Sequence, residues 1–338
     1  NLGESINHSD LQELGNYTVL EHYDAALAVD IAPEDSDDED DVIRETDSLL
    51  VVAHTEDDHS YLEVQVLDEH ANLYVHHDIT LPSFPLSLAW LDCPPHVATS
   101  EDETHMIGSY IAVGTFEPAI EIWNLDVLDP LEPSCVLGGV DTRKKAKKGK
   151  KGRKNNALLP DSHTDAVLSL CWNKEHRQLL ASGSADHVVK LWDVTTQQCS
   201  FTFTHHTDKV AAVRWHSTEG SVLATGAYDK TVAVLDARSP DEVSRFQVSA
   251  DLEHLEWDPF RPFNLTAATE DGVVVCKDVR AMGQNIFRFQ AHEATVSAFA
   301  YRCVFLGHLR YLCVSYVTAV WFCKQSIGGR IDGDCICG

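Results

Sequence analysis

The stretch HTDAVLSLCW at residues 163–172 returns as HTDKVAAVRW at residues 206–215, 43 positions further on. The likeness continues past each copy, LLASGSADHVVKLWDV (179–194) aligning with VLATGAYDKTVAVLDA (222–237). A third copy runs from LEHLEW (252–257) to LTAATEDGVVVCKDV (265–279), and a fourth begins at AHEATVSAFAY (291–301). An earlier, more divergent copy pairs PLSLAW (85–90) with YIAVGTFEPAIEIWNL (110–125). Trp172 to Trp215 is 43 residues and Trp215 to Trp257 is 42. A fixed period of this length marks a repeat architecture, in which each unit buries its apolar face only against its neighbours.

Within a unit, three or four short runs of Val, Leu, Ala and Thr alternate with period two. Tight turns punctuate them at Ala185-Asp186-His187, Tyr228-Asp229-Lys230 and Glu270-Asp271-Gly272. These are strand and hairpin signals. No sustained helical period appears outside the first 30 residues. Four antiparallel strands per unit, repeated radially, predict an all-β propeller of about five to six blades, the first spanning 48–78.

His163, Gly183, Ser184, Asp186 and the pair Trp192-Asp193 match the WD-repeat pattern of propeller blades. A narrower likeness lies in the extra Trp on the first strand of successive blades, in YVHHDI (74–79), in YIAVG with EIWNLD, in a lysine-rich insert and in HTDAVLSLCWNK. Over residues 10–301 the chain resembles the periodic tryptophan protein family. The resemblance implies a nucleolar protein, a role in pre-ribosomal RNA maturation of the large subunit, partners within pre-ribosomal particles, and association with chromatin at ribosomal genes.

A Ser, a His and an Asp in one unit invite a catalytic-triad reading. The repeat argues against it. In WD blades the positions of His163, Ser182, Asp186 and Trp192 form a relay in which Asp holds His, His meets Ser, and Ser reaches the indole N–H. Buried polar groups stay buried only when each has a partner. The second copy keeps His206, Thr225 and Asp229 but has Leu235 where Trp stood, and the third keeps only Asp271. A structural relay tolerates such decay, and no enzyme is expected. Trp90, Trp172, Trp215 and Trp257 are expected to fill the wedges between sheets.

Net charge is −27 over 338 residues, unfavourable on average for nucleic-acid phosphates. Two tracts depart from that average. APEDSDDEDDVIRETD (32–47) is too acidic to bury a core, so residues 1–47 are expected to be largely a disordered acidic segment. Its Ser36, followed by Asp37, Asp38 and Glu39, resembles an acidic-directed kinase site, and the tract suits basic partners such as ribosomal proteins or histone tails. In contrast, Arg143, Lys144, Lys145, Lys147, Lys148, Lys150, Lys151, Arg153 and Lys154 place nine of the 26 Lys and Arg in twelve residues, inside an insert at 141–160. Such a run is expected to act as a nuclear or nucleolar address. With no aromatic interleaved, any RNA contact would be non-specific. The acidic and basic tracts could also pair and mask each other.

Residues 48–301 are expected to hold the propeller and 302–338 an off-pattern tail. Five of the ten cysteines crowd that tail (Cys303, Cys313, Cys323, Cys335, Cys337), with no C-x-x-C pair anywhere, so no metal site, cofactor or disulfide framework is expected. No run approaches the roughly 18–20 apolar residues that span a bilayer. No signal peptide is read at the start. A second functional reading rests on LDAR (235–238) and KDVR (277–280), which resemble the docking ending of substrate receptors for cullin-type ubiquitin ligases, with Arg238 and Arg280 facing the adaptor.

Overall fold

In a computed structural model the described residues are 43, 47–56, 59–68, 70, 72–95, 108–140, 157–302 and 311–315. They form antiparallel sheets in strict sequence order. Strands β1 (Ser48–Glu56), β2 (His59–Leu67) and β3 (Leu73–Leu81) make a three-stranded sheet. Four-stranded sheets follow. The first contains β4 (Pro85–Leu91), β5 (Tyr110–Thr115), β6 (Ala119–Asn124) and β7 (Cys135–Gly138). Next come β8 (Val167–Trp172), β9 (Leu179–Ser184), β10 (Val189–Asp193) and β11 (Gln198–Phe203). The third is built from β12 (Val210–Trp215), β13 (Val222–Ala227), β14 (Thr231–Asp236) and β15 (Ser239–Gln247). The fourth has β16 (Leu252–Trp257), β17 (Asn264–Thr269), β18 (Val273–Asp278) and β19 (Asn285–Gln290). A last hairpin joins β20 (Ala298–Arg302) to β21 (Tyr311–Ser315). This is the blade succession of a β-propeller.

The blades meet through their first strands: β4 lies against β8, β8 against β12, β12 against β16, and β16 against β20. The second strands β9, β13 and β17 are buried almost throughout, because a neighbouring strand covers each edge and a neighbouring blade each face. Fourth strands are the outer edges; β11 and β19 are open to solvent along most of their length, and Val136 and Phe201 are exposed. The apolar clusters therefore sit between blades. Ala181, Val189 and Leu191 of one sheet pack with Val210, Val213 and Leu223 of the next, and Ala212 and Ala224 with Leu252, Leu255 and Leu265.

Two backbone features explain the recurring small and polar turn residues. Gly114, Gly183 and Gly226 share one register in successive second strands, where the next blade presses in. A Cβ on Gly114 would lie 2.9 Å from the Val167 carbonyl oxygen. The turn residues His187 (φ 68°), Lys230 (φ 63°) and Gly272 (φ 79°) all adopt the left-handed region, each directly after the repeated Asp.

The blade pattern runs past the expected boundary at Tyr301, since β21 pairs with β20 as a second strand, Tyr301 facing Leu312. The acidic tract, Ser36 and most of the tail lie outside the described residues. Among the described residues no helix is long and apolar enough to cross a membrane, and no three His, Cys, Asp or Glu side chains converge as metal ligands.

Replacing Gly114 with Ala forces the Val167 backbone to move, and overpacking of this kind costs about 1–3 kcal/mol. A urea midpoint lowered accordingly, with unchanged far-UV circular dichroism, is the expected result.

Candidate functional site

The structure brings His163, Ser182, Asp186 and Trp192 into one chain of contacts. His163 enters from the link before β8, Ser182 from β9, Asp186 from the β9–β10 turn and Trp192 from β10. Asp186 Oδ2 meets His163 Nδ1 at 2.9 Å, and His163 Nε2 meets Ser182 Oγ at 2.7 Å. The Trp192 indole N–H donates to the same Ser182 oxygen at 2.9 Å. Burial alone would push the Asp186 carboxyl up. The His163 hydrogen bond and charge, with the amides of Thr164 and Val188, outweigh it and hold the group at about 2. An ionised carboxylate only accepts, so His163 Nδ1 carries the proton. His163 and Ser182 have no solvent-exposed surface. The hydroxyl that a nucleophile would need is spent inside the sheet, with no opening for a substrate.

The second blade repeats the geometry with a substitution. His206 spans Asp229 (3.0 Å) and the Thr225 hydroxyl (2.9 Å). Leu235, where the Trp stood, is buried as an apolar plug. The freed place on Thr225 is taken by His205 Nε2 at 2.8 Å, a residue the repeat pattern did not single out. Thr225 can donate to only one imidazole, so His205 Nε2 donates and its buried Nδ1 is left unprotonated and without a partner. Burial, with His206 and Arg245 nearby, lowers His205 to about 3. In the third copy Asp271 keeps the turn by accepting from Thr269 Oγ1 at 2.5 Å.

The four periodic tryptophans divide into two kinds. Trp215 Nε1 donates to the Cys171 carbonyl (3.1 Å) and Trp257 Nε1 to the Arg214 carbonyl (3.2 Å), each stapling its blade to the preceding one. Trp172 Nε1 instead donates to Arg177 O in its own blade, while Trp90 stacks edge-on against Trp172 with centroids 5.4 Å apart. Sequence reasoning missed a parallel set of clips. Ser87 Oγ accepts from the Leu170 amide (2.9 Å) and Ser169 Oγ from the Val213 amide (3.1 Å), one blade on each time. The signal was present as the shared Leu-Ser-Leu in PLSLAW and VLSLCW.

The turns and links between strands form two loop faces. One carries the links between blades and the β9–β10 and β13–β14 turns, joined by hydrogen bonds such as Tyr228 N–H to Lys209 O. Exposed there, Phe84 and Phe116 form a ring pair 5.7 Å apart. Tyr228 is held at about 12 by burial and then by Glu253 and Asp251. The basic insert belongs to such a link, its ends pinned by the Val140–Leu158 bridge; Arg143 through Lys154 themselves lie outside the described residues. On the opposite face Arg238 and Arg280 occupy equivalent turns. Each is clamped by its own carboxylate, Asp236 at 2.6 Å and Asp278 at 2.7 Å, and Arg280 also caps the Phe263 ring at 4.0 Å.

Comparison with known proteins agrees with this geometry. The family model described as WD domain, G-beta repeat matches residues 157–193 and 197–236. A solved WD40 β-propeller domain of Doa1 superposes with a TM-score of 0.50 at 17% identity, covering 74% of this chain and 72% of that one. An uncharacterized WD repeat-containing protein of Schizosaccharomyces pombe is 47% identical over 273 residues, 80% of this chain and 51% of that protein. The Drosophila melanogaster protein named Periodic tryptophan protein 1 homolog is 34% identical over 279 residues, 81% of this chain and 57% of its own length. The chain belongs to the periodic tryptophan family of WD-repeat proteins. It spans about half the length of the curated relatives it matches.

Ser182→Ala strands the Trp192 N–H and the His163 ring nitrogen in the core, and an unsatisfied buried group costs about 1–3 kcal/mol. Chemical denaturation of the variant should show that loss in an otherwise native fold. A second expectation concerns pH. Burial, then the adjacent Arg214, lowers His254 to about 3, so the native state keeps it neutral while the unfolded chain takes up a proton below its ordinary value. The unfolded state then binds more protons, and stability falls with pH. Between pH 7 and 5 His254 alone removes about 2 kcal/mol. Urea midpoints measured across that range check this, and His254→Gln should remove its share of the dependence, leaving that of His205, which burial lowers in the same way.

Proposed function

We propose that this chain is a non-enzymatic docking scaffold of ribosome production, acting in the nucleolus on maturation of the large subunit and on chromatin at ribosomal genes. The observation that carries the non-enzymatic part is the sealed Ser-His-Asp set, present in one blade and present again in decayed form in the next. Family membership supports the nucleolar part. A propeller supplies a rigid body with two loop-built faces, and function resides in those loops. The face with the exposed Phe84–Phe116 pair and the rooted basic insert suits partners offering apolar side chains beside acidic or phosphate groups. The acidic tract suits ribosomal proteins or histone tails, and phosphate on Ser36 would deepen its negative field.

The ubiquitin-ligase reading has one observation in its favour. Arg238 and Arg280 project from matching turns, with 76% and 62% of their side chains exposed. Their guanidinium forks are already engaged by Asp236 and Asp278, which leaves less for an adaptor to bind. Affinity purification separates the two. Pre-ribosomal proteins and large-subunit precursor RNA are the expected yield, and a cullin adaptor lost on Arg238→Ala and Arg280→Ala would replace this reading by the other. A tagged chain lacking 143–154 should shift from the nucleus to the cytoplasm by fluorescence microscopy, with its purified fold unchanged.

A further inference from the structure

The link between first and second strands has one geometry in three successive sheets, at 173–178, 216–221 and 258–263. In each, the first residue caps the turn from within. Asn173 Oδ1 accepts from the amides of Glu175 and His176, His216 Nδ1 from those of Thr218 and Glu219, and Asp258 Oδ1 from those of Phe260 and Arg261. The amide of each capping residue then closes the link on the carbonyl of Leu179, Val222 or Asn264. The backbone is thus held constant, and the side chains of one link can be judged against those of the next.

The links at 216–221 and 258–263 lie beside the same clamp, Asp236 on Arg238 and Asp278 on Arg280. Their surroundings differ. In the earlier sheet the Ser221 hydroxyl bonds Asp236, and the Glu219 carboxylate adds its charge beside Arg238. In the later sheet Phe263 stands in the place of Ser221, Arg261 in that of Glu219 and Phe260 in that of Thr218. Phe260, Pro262, Phe263 and Ile286, with Arg261 and Arg280, line an open cavity of about 480 Å³. Phe263 and Ile286 are exposed in it.

The cavity is pre-formed. The Pro262 carbonyl accepts from His216 Nε2 of the preceding sheet at 2.7 Å. Arg280 is fixed over the Phe263 ring at 4.0 Å, and Asp278 binds its Nε and Nη2. Its Nη1 group has no acceptor among the described residues and is left for a second carboxylate. We propose that this cavity binds a segment of a partner protein in which an Asp or Glu stands beside a large apolar side chain. The carboxylate meets Arg261 and Nη1 of Arg280, and the apolar group lies against Phe260, Phe263 and Ile286. Charge-assisted hydrogen bonds at an apolar wall are strong, and arginine with aromatic rings is the composition of interface cores. An open cavity fits side chains of a segment lying across it, and the net charge of −27 disfavours the repeated phosphates of nucleic acid. The site needs neither the nucleolar setting nor Arg238, which an adaptor using both matching turns would require.

Selection of a phage-displayed library of random peptides on the unaltered chain tests this. The control is Arg261→Glu with Phe263→Ser, the residues with which the preceding sheet already folds, checked by an unchanged thermal midpoint. Enriched peptides should carry Asp or Glu next to, or one residue from, Phe, Tyr, Trp, Leu or Ile. Fluorescence anisotropy with those peptides should show binding weakened about tenfold or more by the control substitutions and by Arg280→Ala, as for loss of an arginine anchor at an interface. Arg238→Ala should leave it unchanged. Enrichment no greater than on the control, or enriched peptides without an acidic residue, would overturn the proposal. So would an equal loss on Arg238→Ala, or a single-stranded RNA oligonucleotide bound through these residues in place of the peptides.

Discussion

Every blade depends on the contact between successive first strands. Beside it the second strands carry glycine at 114, 183 and 226, where an added Cβ would press on the Val167 carbonyl oxygen at 114 and on the Val213 and Leu252 side chains at 183 and 226. At that distance water is excluded, and each inward-facing N–H must find a protein acceptor. Ser87, Ser169 and the indoles of Trp215 and Trp257 meet that demand by reaching across the seam. The apolar clusters between blades supply the driving force, and these polar clips set the stagger at which it is realised.

The His-Asp relays solve a different problem at the blade's rim. A turn with a left-handed residue after Asp186 or Asp229 is costly for His187 and Lys230, and it persists because the surroundings over-determine it. The carboxylate binds the following amides and the imidazole of the incoming link, so one side chain holds two loops at once. The loops of that face are thus anchored from beneath. When Trp192 gives way to Leu235, a second imidazole from His205 occupies the hydroxyl, so the network is maintained by whatever donor the neighbourhood offers.

Reading the repeat recovered the sheets, their order and the partners of the first relay. Identical polar residues at one spacing have few geometries that satisfy them all. Less was legible where the acceptor is a backbone carbonyl, since every residue carries one. Nothing in the letters distinguishes Trp172, which bonds within its own blade, from Trp215, which bonds across. His205 was invisible because the consensus has no place for it. The charged tracts at 32–47 and 143–154 were legible only as composition, and all but residues 43 and 47 of them lie outside the described residues.

What followed from the chain of residues alone was the period, the blade unit and the chemistry each unit must bury, because alternation and turn propensity are local properties of the peptide. Which carbonyl each indole reaches, which hydroxyl clips which blade, and which arginine stacks on which ring were settled only in three dimensions. The links between blades join segments more than 40 residues apart, and only the packing of one blade against the next sets them.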